Sequence, residues 1–205
     1  MIRPLLPGDA PAAAAIYNHY VAETTATFQT EPLDAAGWLA EATAGEPGRH
    51  GAWALTAAAA PGDAAAGSAS DDAAGHAAPG DAAPGEAGGG AEAGPAPDGD
   101  LLGYLLVAPF KGRCAYRDTA EVTVYLDAAA CGRGLGRAAL AFAEEHARAA
   151  GLHALLAVVC AENEPSLRAF ARAGYEEVGR LREVGRKFGR LLDVVYLEKV
   201  VGSAP

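Results

Sequence analysis

Residues 131–140 read "CGRGLGRAAL", with glycines at 132, 134 and 136 and arginines at 133 and 137. The stretch follows "EVTVYLD" at 121–127, whose β-branched and aromatic residues alternate with other types as they do in a strand. It opens an amphipathic run that reads as a helix from Gly134 to Ala150, closed by Gly151. A dinucleotide fingerprint requires glycine at its first, third and sixth positions, and here the sixth is Arg137. An ATP loop requires glycine, lysine and then serine or threonine, and the stretch has no such run. What is left is a helix start free of bulky side chains. Its N–H groups and dipole suit a phosphate, with Arg133 or Arg137 adding charge, although a plain strand-to-helix turn has the same residues.

Working outward, "IRPLL" at 2–6 reads as a strand, and Asp9 is placed to cap a helix over 10–22 that carries Pro11 in its first turn. A second helix begins at Asp34. Strands follow at 51–56 and 101–110, which loop-closure entropy permits to pair across a long connection. Beyond the central helix come a strand at 155–160, a helix over 165–173 closed by Gly174, and strands at 175–184 and 193–201. In the central helix Leu135, Ala139, Phe142, Ala143, His146 and Ala150 share a face, while Glu144 and Arg148 form an i,i+4 pair. The order predicts an α/β (α+β) fold: a mixed sheet of about six to seven strands flanked by about four helices.

The chain has 205 residues and a formal net charge of −10. Residues 57–100 hold eight of the 26 acids and no lysine or arginine, which leaves 18 acids against 16 bases elsewhere. That segment is mostly alanine, glycine and proline, so it offers little to bury and is expected to be a disordered insertion in a single domain spanning 1–205. The nearly neutral remainder has no basic stripe for nucleic acid. No apolar run reaches membrane-spanning length, and the N-terminus lacks the order of a signal peptide, so the expectation is a cytoplasmic protein. Three cysteines without metal-ligand spacing, Cys114, Cys131 and Cys160, predict neither disulfide nor metal.

The strand "TVYL", the run "CGRGLG", a helix, and then "CAENEPSLRAFARAGY" resemble the GNAT family of N-acetyltransferases. The family's acetyl-CoA signature is Gln or Arg, two residues, Gly, any residue, and Gly or Ala. Gly134 and Gly136 match it, and Cys131 stands where Gln or Arg is usual. The stretches at 16–32, 109–126 and 184–194 are similar to the branch of phosphinothricin and methionine sulfoximine or sulfone acetyltransferases.

The resemblance implies acetyl-CoA as cosubstrate and a small amino acid-like acceptor acetylated on its α-amino group. It assigns Glu121 as general base, a role that suits a carboxylate raised in proton affinity by an apolar strand. It also implies that the backbone of Val124, Tyr125 and Leu126 binds pantetheine and thioester, that Gly132, Arg133, Gly134, Leu135, Gly136 and Arg137 carry the pyrophosphate, and that Asn163 contacts the CoA arm. Asn163 also suits helix capping.

By the same resemblance Lys111, Gly112, Arg113, Glu121, Val122 and Thr123 line the acceptor pocket and Phe28 walls it. Lys111, Arg113 and Arg117 are cations of the kind that pair with carboxylate or phosphinate, and equally with water. Phe170 occupies the position where many relatives carry a tyrosine acid. Lys187, Phe188 and Asp193 resemble a branch motif to which no physical role attaches at this point. A homodimer is expected from the resemblance. Two other readings stay open: a family member acting on another amine, such as a peptide N-terminus or an aminoglycoside, and a non-enzymatic acetyl-CoA-binding module.

Overall fold

A computed structural model describes residues 1–57 and 101–202. The insertion expected at 57–100 lies, from residue 58 onward, outside the described residues. Seven strands form one sheet: β1 (Ile2–Pro4), β2 (Gly51–Thr56), β3 (Leu101–Pro109), β4 (Thr119–Leu126), β5 (Ala154–Cys160), β6 (Glu176–Lys187) and β7 (Arg190–Val200), in the order β1-β2-β3-β4-β5-β7-β6. Only β4 and β5 run parallel, joined by the helix that the glycine stretch starts. Four α-helices accompany them among the described residues: α1 (Ala10–Glu23), α2 (Ala35–Ala42), α3 (Leu135–Ala149) and α4 (Glu164–Arg172).

Strand alternation sorts side chains into two cores. Leu105, Val107, Val122, Val124 and Leu126 pack with α3 and α4, where Ala139, Leu140, Ala143, Ala147 and Phe170 are found. Tyr104, Leu106 and Tyr125 face the other way, against α1 and α2 with Ala13, Ile16 and Trp38. Small residues at Ala139, Ala143 and Ala147 let α3 lie close to the sheet. The stripe includes Leu140 and Ala147, which the sequence pattern did not assign, while the half-buried His146 meets Trp53 edge-on at a centroid distance of 4.5 Å.

Helix starts follow their chemistry unevenly. Asp34 accepts the Gly37 N–H at 2.7 Å, as expected of an N-cap. Asp9 does not cap α1. Its carboxylate receives both guanidinium nitrogens of Arg3, at 2.7 and 2.8 Å, and the Leu6 N–H at 2.8 Å. A bidentate arginine outcompetes a helix N–H for the two oxygens, and the resulting tie holds β1 to the start of α1. The outer strand β6 extends beyond its expected end to Lys187, with a register break between Leu181 and Gly185 where Glu183 adopts φ 56°.

Candidate active site

β4 and β5 pair only from Thr119 to Glu121, opposite Ala154 to Leu156. Beyond that point β5 continues to Cys160 bound to β7, and β4 continues to Leu126 bound to β3. The two strands therefore part in the middle of the sheet. Two bonds fix which groups face the gap: Asp127 N–H donates to Leu102 O at 2.8 Å and Phe110 N–H to Thr119 O at 3.4 Å, both toward β3. Main-chain groups of the odd-numbered residues of β4 thus face β3, and those of Val122, Val124 and Leu126 face β5. This corrects the expectation for Tyr125, whose backbone is engaged opposite Tyr104.

At the end of the gap lies a cleft lined by Leu126, Gly132, Gly134, Leu135, Gly136 and Arg137 on one side and by residues of α4 on the other, Pro165, Arg168 and Arg172 among them. Gly132 and Gly134 have φ of 77° and 75°, a left-handed conformation that a Cβ disfavours and glycine adopts freely. The first bond inside α3 runs from Ala138 N–H to Gly134 O at 3.1 Å. The N–H groups of Leu135, Gly136 and Arg137 thus point out of the helix start with no side-chain cap upon them. A Cβ at Gly134 would meet no atom within 4 Å, so the turn faces open space there. These residues fit a pyrophosphate. Arg133 is exposed and outside the cleft lining, whereas Arg137 is part of it. The α4 contribution has only a weak sequence signal: a helix that starts where β5 ends.

Asn163 caps α4, its side-chain oxygen accepting the Ser166 N–H at 3.2 Å. Cys131 is half-buried; its thiol lies 3.5 Å from Asp127 O, and burial raises its pKa. It is a packing residue, as is Cys160, and all three cysteines are free. Phe170 is buried edge-to-face on Tyr175 at 4.9 Å. Among the described residues no group of three or more metal-ligating side chains is assembled, and no helix is long and apolar enough to cross a membrane.

On the opposite face, the side chains of Glu121, Thr123 and Tyr125 line up under α1 and α2. Glu121 is half-buried, and desolvation raises its pKa above the ordinary glutamate value. Val122 corrects a second expectation: its side chain is buried in the α3 core, so only its main chain is on the side of the gap. Thr123 and Tyr125 border a cavity of about 150 Å³ reaching under α2. Lys111, Gly112 and Arg113 lie on the exposed turn between β3 and β4 and do not line that cavity; the Lys111 ammonium sits 5.1 Å from the Phe110 ring centroid.

The connection between α1 and α2 is fastened over this face. Tyr17 OH and Thr27 Oγ1 are 2.9 Å apart, Tyr125 OH donates to Ala26 O at 3.3 Å, and Tyr20 OH donates to Leu126 O at 2.7 Å, at the edge of the gap. Lys187 gives the branch motif a role that sequence did not supply. It is only 4% exposed, and its ammonium donates to Thr27 O at 2.9 Å and Tyr20 O at 3.3 Å, stitching the end of β6 to that connection. Burial lowers its pKa. Phe28 lies against Gly185, where a Cβ would come within 1.9 Å of its ring. Asp193 Oδ1 accepts the Glu183 N–H at 2.9 Å and so holds the irregular backbone of β6.

Comparison with known proteins bears on this arrangement. Residues 89–175 match the model of the acetyltransferase (GNAT) family. The chain is 32% identical to the phosphinothricin N-acetyltransferase of Streptomyces coelicolor across 97% of its own length and 94% of that protein. Over 100 residues, 49% of this chain and 58% of the other, it is 36% identical to the L-methionine sulfoximine/L-methionine sulfone acetyltransferase of Pseudomonas aeruginosa. A solved phosphinothricin acetyltransferase from Sinorhizobium meliloti, in complex with AcCoA, has the same fold, with a TM-score of 0.74 over 98% of this chain and 88% of that one at 20% identity.

Proposed function

The chain belongs to the GNAT acetyltransferase family, and from that premise we propose that it transfers the acetyl group of acetyl-CoA to the α-amino group of a small amino acid-like acceptor of the phosphinothricin or methionine sulfoximine and sulfone type. The observation that carries the reading is the parting of β4 from β5 directly after Glu121, with a cleft of free helix N–H groups at the far end. Acetyl-CoA lies along the gap as substrate. Its pyrophosphate meets the N–H groups of Leu135 to Arg137, Arg137 adds charge, and the pantetheine arm runs past the main chain of Val124 and Leu126. The relatives' names support the acceptor class, since the first spans nearly the whole of both chains.

The acceptor amine arrives protonated at neutral pH. Glu121 takes its proton, directly or through a water, and its raised pKa brings it nearer to that task than a solvated glutamate. The amine nitrogen then attacks the thioester carbonyl carbon. A preorganised N–H of Val124, facing the gap, stabilises the oxyanion. The C–S bond breaks, and the proton that the attacking nitrogen sheds passes through water to the leaving thiolate, because Phe170 offers no hydroxyl. Direct transfer fits the cysteines: the Cys131 thiol is held against Asp127 O and raised in pKa, which disfavours a thiolate acyl carrier. Lys111 and Arg113 pair with the acceptor carboxylate from the turn beside Glu121, and Phe28 walls the acceptor side. A cytoplasmic homodimer completes the reading. The outer strand β6 leaves Val178, Leu181 and Val184 exposed, an apolar edge that a second copy covers.

Thiol release from acetyl-CoA with phosphinothricin, methionine sulfoximine and methionine sulfone tests the reading. Turnover on one of them that falls about a hundredfold in Glu121→Gln supports acceptor class and base together. Saturable acetyl-CoA binding with no turnover on any of them refutes the acceptor class.

A further inference from the structure

The cavity under α2 contains polar groups that the reaction above does not use. Four of its lining residues are aromatic and mutually packed in three pairs: Trp38 on Tyr104 at 4.8 Å, Tyr104 on Tyr125 at 5.6 Å, and Tyr17 on Tyr125 at 5.4 Å. The tyrosine hydroxyls are already engaged. Tyr104 OH accepts from Trp38 Nε1 at 3.3 Å, Tyr17 OH is bound to Thr27, and Tyr125 OH is bound to Ala26 O. The polar groups left in the lining are the Thr123 hydroxyl and the Glu41 carboxylate, and no cation lines the cavity. Glu41 lies on the last turn of α2, and its charge is felt by the Tyr17 hydroxyl.

A carboxylate among aromatic faces selects for hydrogen-bond donors and positive charge and against a second anion. Thr123 stands two residues beyond Glu121 on the same face, which places the cavity mouth about 7 Å along the strand from the base. That separation matches the reach of a short amino acid side chain from its own α-amino group. We propose that the Glu41 cavity receives the far end of the acceptor side chain and is built for a group that donates a hydrogen bond or carries positive charge. Among the acceptors above, the sulfoximine N–H meets this requirement, the sulfone lacks a donor, and the phosphinate brings a negative charge toward Glu41.

This selectivity rests on the proposed acetyl transfer, and the experiment separates the two. Turnover of methionine sulfoximine, methionine sulfone and phosphinothricin is compared for the wild type and Glu41→Gln, alongside calorimetric titration of the same three compounds in the presence of CoA. The expected result is a kcat/KM at least about tenfold higher for the sulfoximine than for either of the others, with the gap to phosphinothricin shrinking severalfold in Glu41→Gln. The exposed position of Glu41 on α2 leaves the fold of the variant intact, which a thermal melt verifies. Equal handling of sulfoximine and phosphinothricin by the wild type, or ratios unchanged by the substitution, overturns the proposal. If none of the three is turned over, acetyl transfer to this class fails, and calorimetry still decides the cavity. Sulfoximine binding weakened in Glu41→Gln supports it, and absence of binding by all three refutes it.

Discussion

Replacing Lys187 with methionine removes one buried charge and two hydrogen bonds while nearly preserving volume. The bond to Thr27 O at 2.9 Å is charge-assisted and is worth about 1.5–3 kcal/mol. The longer contact to Tyr20 O, at 3.3 Å, adds less, because that carbonyl also accepts from Thr24 N–H at 3.3 Å and Thr24 Oγ1 at 3.1 Å. Against this loss, methionine no longer bears the cost of burying an ammonium at a position only 4% exposed. The net expectation is a destabilisation of about 2 kcal/mol, or roughly 4–8 °C in Tm for a domain of this size. The assay is thermal unfolding followed by circular dichroism. A second readout separates local from global effects: with the connection between α1 and α2 loosened, KM for the acceptor rises severalfold while KM for acetyl-CoA stays unchanged. A Tm equal to or above the wild type would refute the reasoning, since it would mean that burial of the charge outweighs what its bonds supply.

Three further outcomes follow from single features. Glu121 is protonated more readily in the folded state than in solution, so its ionised form costs stability; that cost is absent below the ordinary glutamate pKa and grows as pH rises through the raised one. Glu121→Gln is therefore expected to be as stable as the wild type in acid and more stable at neutral pH, and wild-type kcat/KM for the acceptor rises with pH through the same window; stability of the variant that falls relative to wild type on going to neutral pH contradicts this. Gly134→Ala places a methyl at φ 75°, in the open space before α3, at a cost of about 1–2 kcal/mol in conformation. KM for acetyl-CoA, measured by thiol release, should rise about tenfold while acceptor KM barely moves. Gly185→Ala drives a Cβ into the Phe28 ring, at 1.9 Å in the present geometry, so Phe28 must swing away. Acceptor KM then rises severalfold, and an unchanged value would show that Phe28 does not wall the site.

Much of the strand, glycine turn and helix start around residues 121–137 was legible in the sequence because it depends on local backbone. Glycines that permit positive φ after a strand, a helix start without caps, and the alternation that sets Glu121 and Thr123 apart from Val122 are all properties of neighbours along the chain. The element order, the hairpin across the long connection and the mixed sheet followed from the same local patterns. The Tyr125 expectation failed for a reason that alternation alone does not contain: which edge a residue's N–H faces depends on the partner strand, and β3 had already engaged it. Asp9 failed because Arg3, six residues away, competed for its carboxylate.

What the tertiary structure alone decided is the packing of the connection between α1 and α2 over the sheet. Lys187 meets Tyr20 and Thr27 across more than 150 residues, Phe28 meets Gly185, and the exposed Glu41 borders an aromatic cavity with Thr123. Each contact joins segments whose separate sequences carry no trace of one another. The amino-acid sequence thus determined the glycine turn and the uncapped start of α3, because backbone conformation is local. It left open the cavity lined by Trp38, Tyr104 and Thr123, because a pocket between α1, α2 and the sheet exists only after those elements have packed.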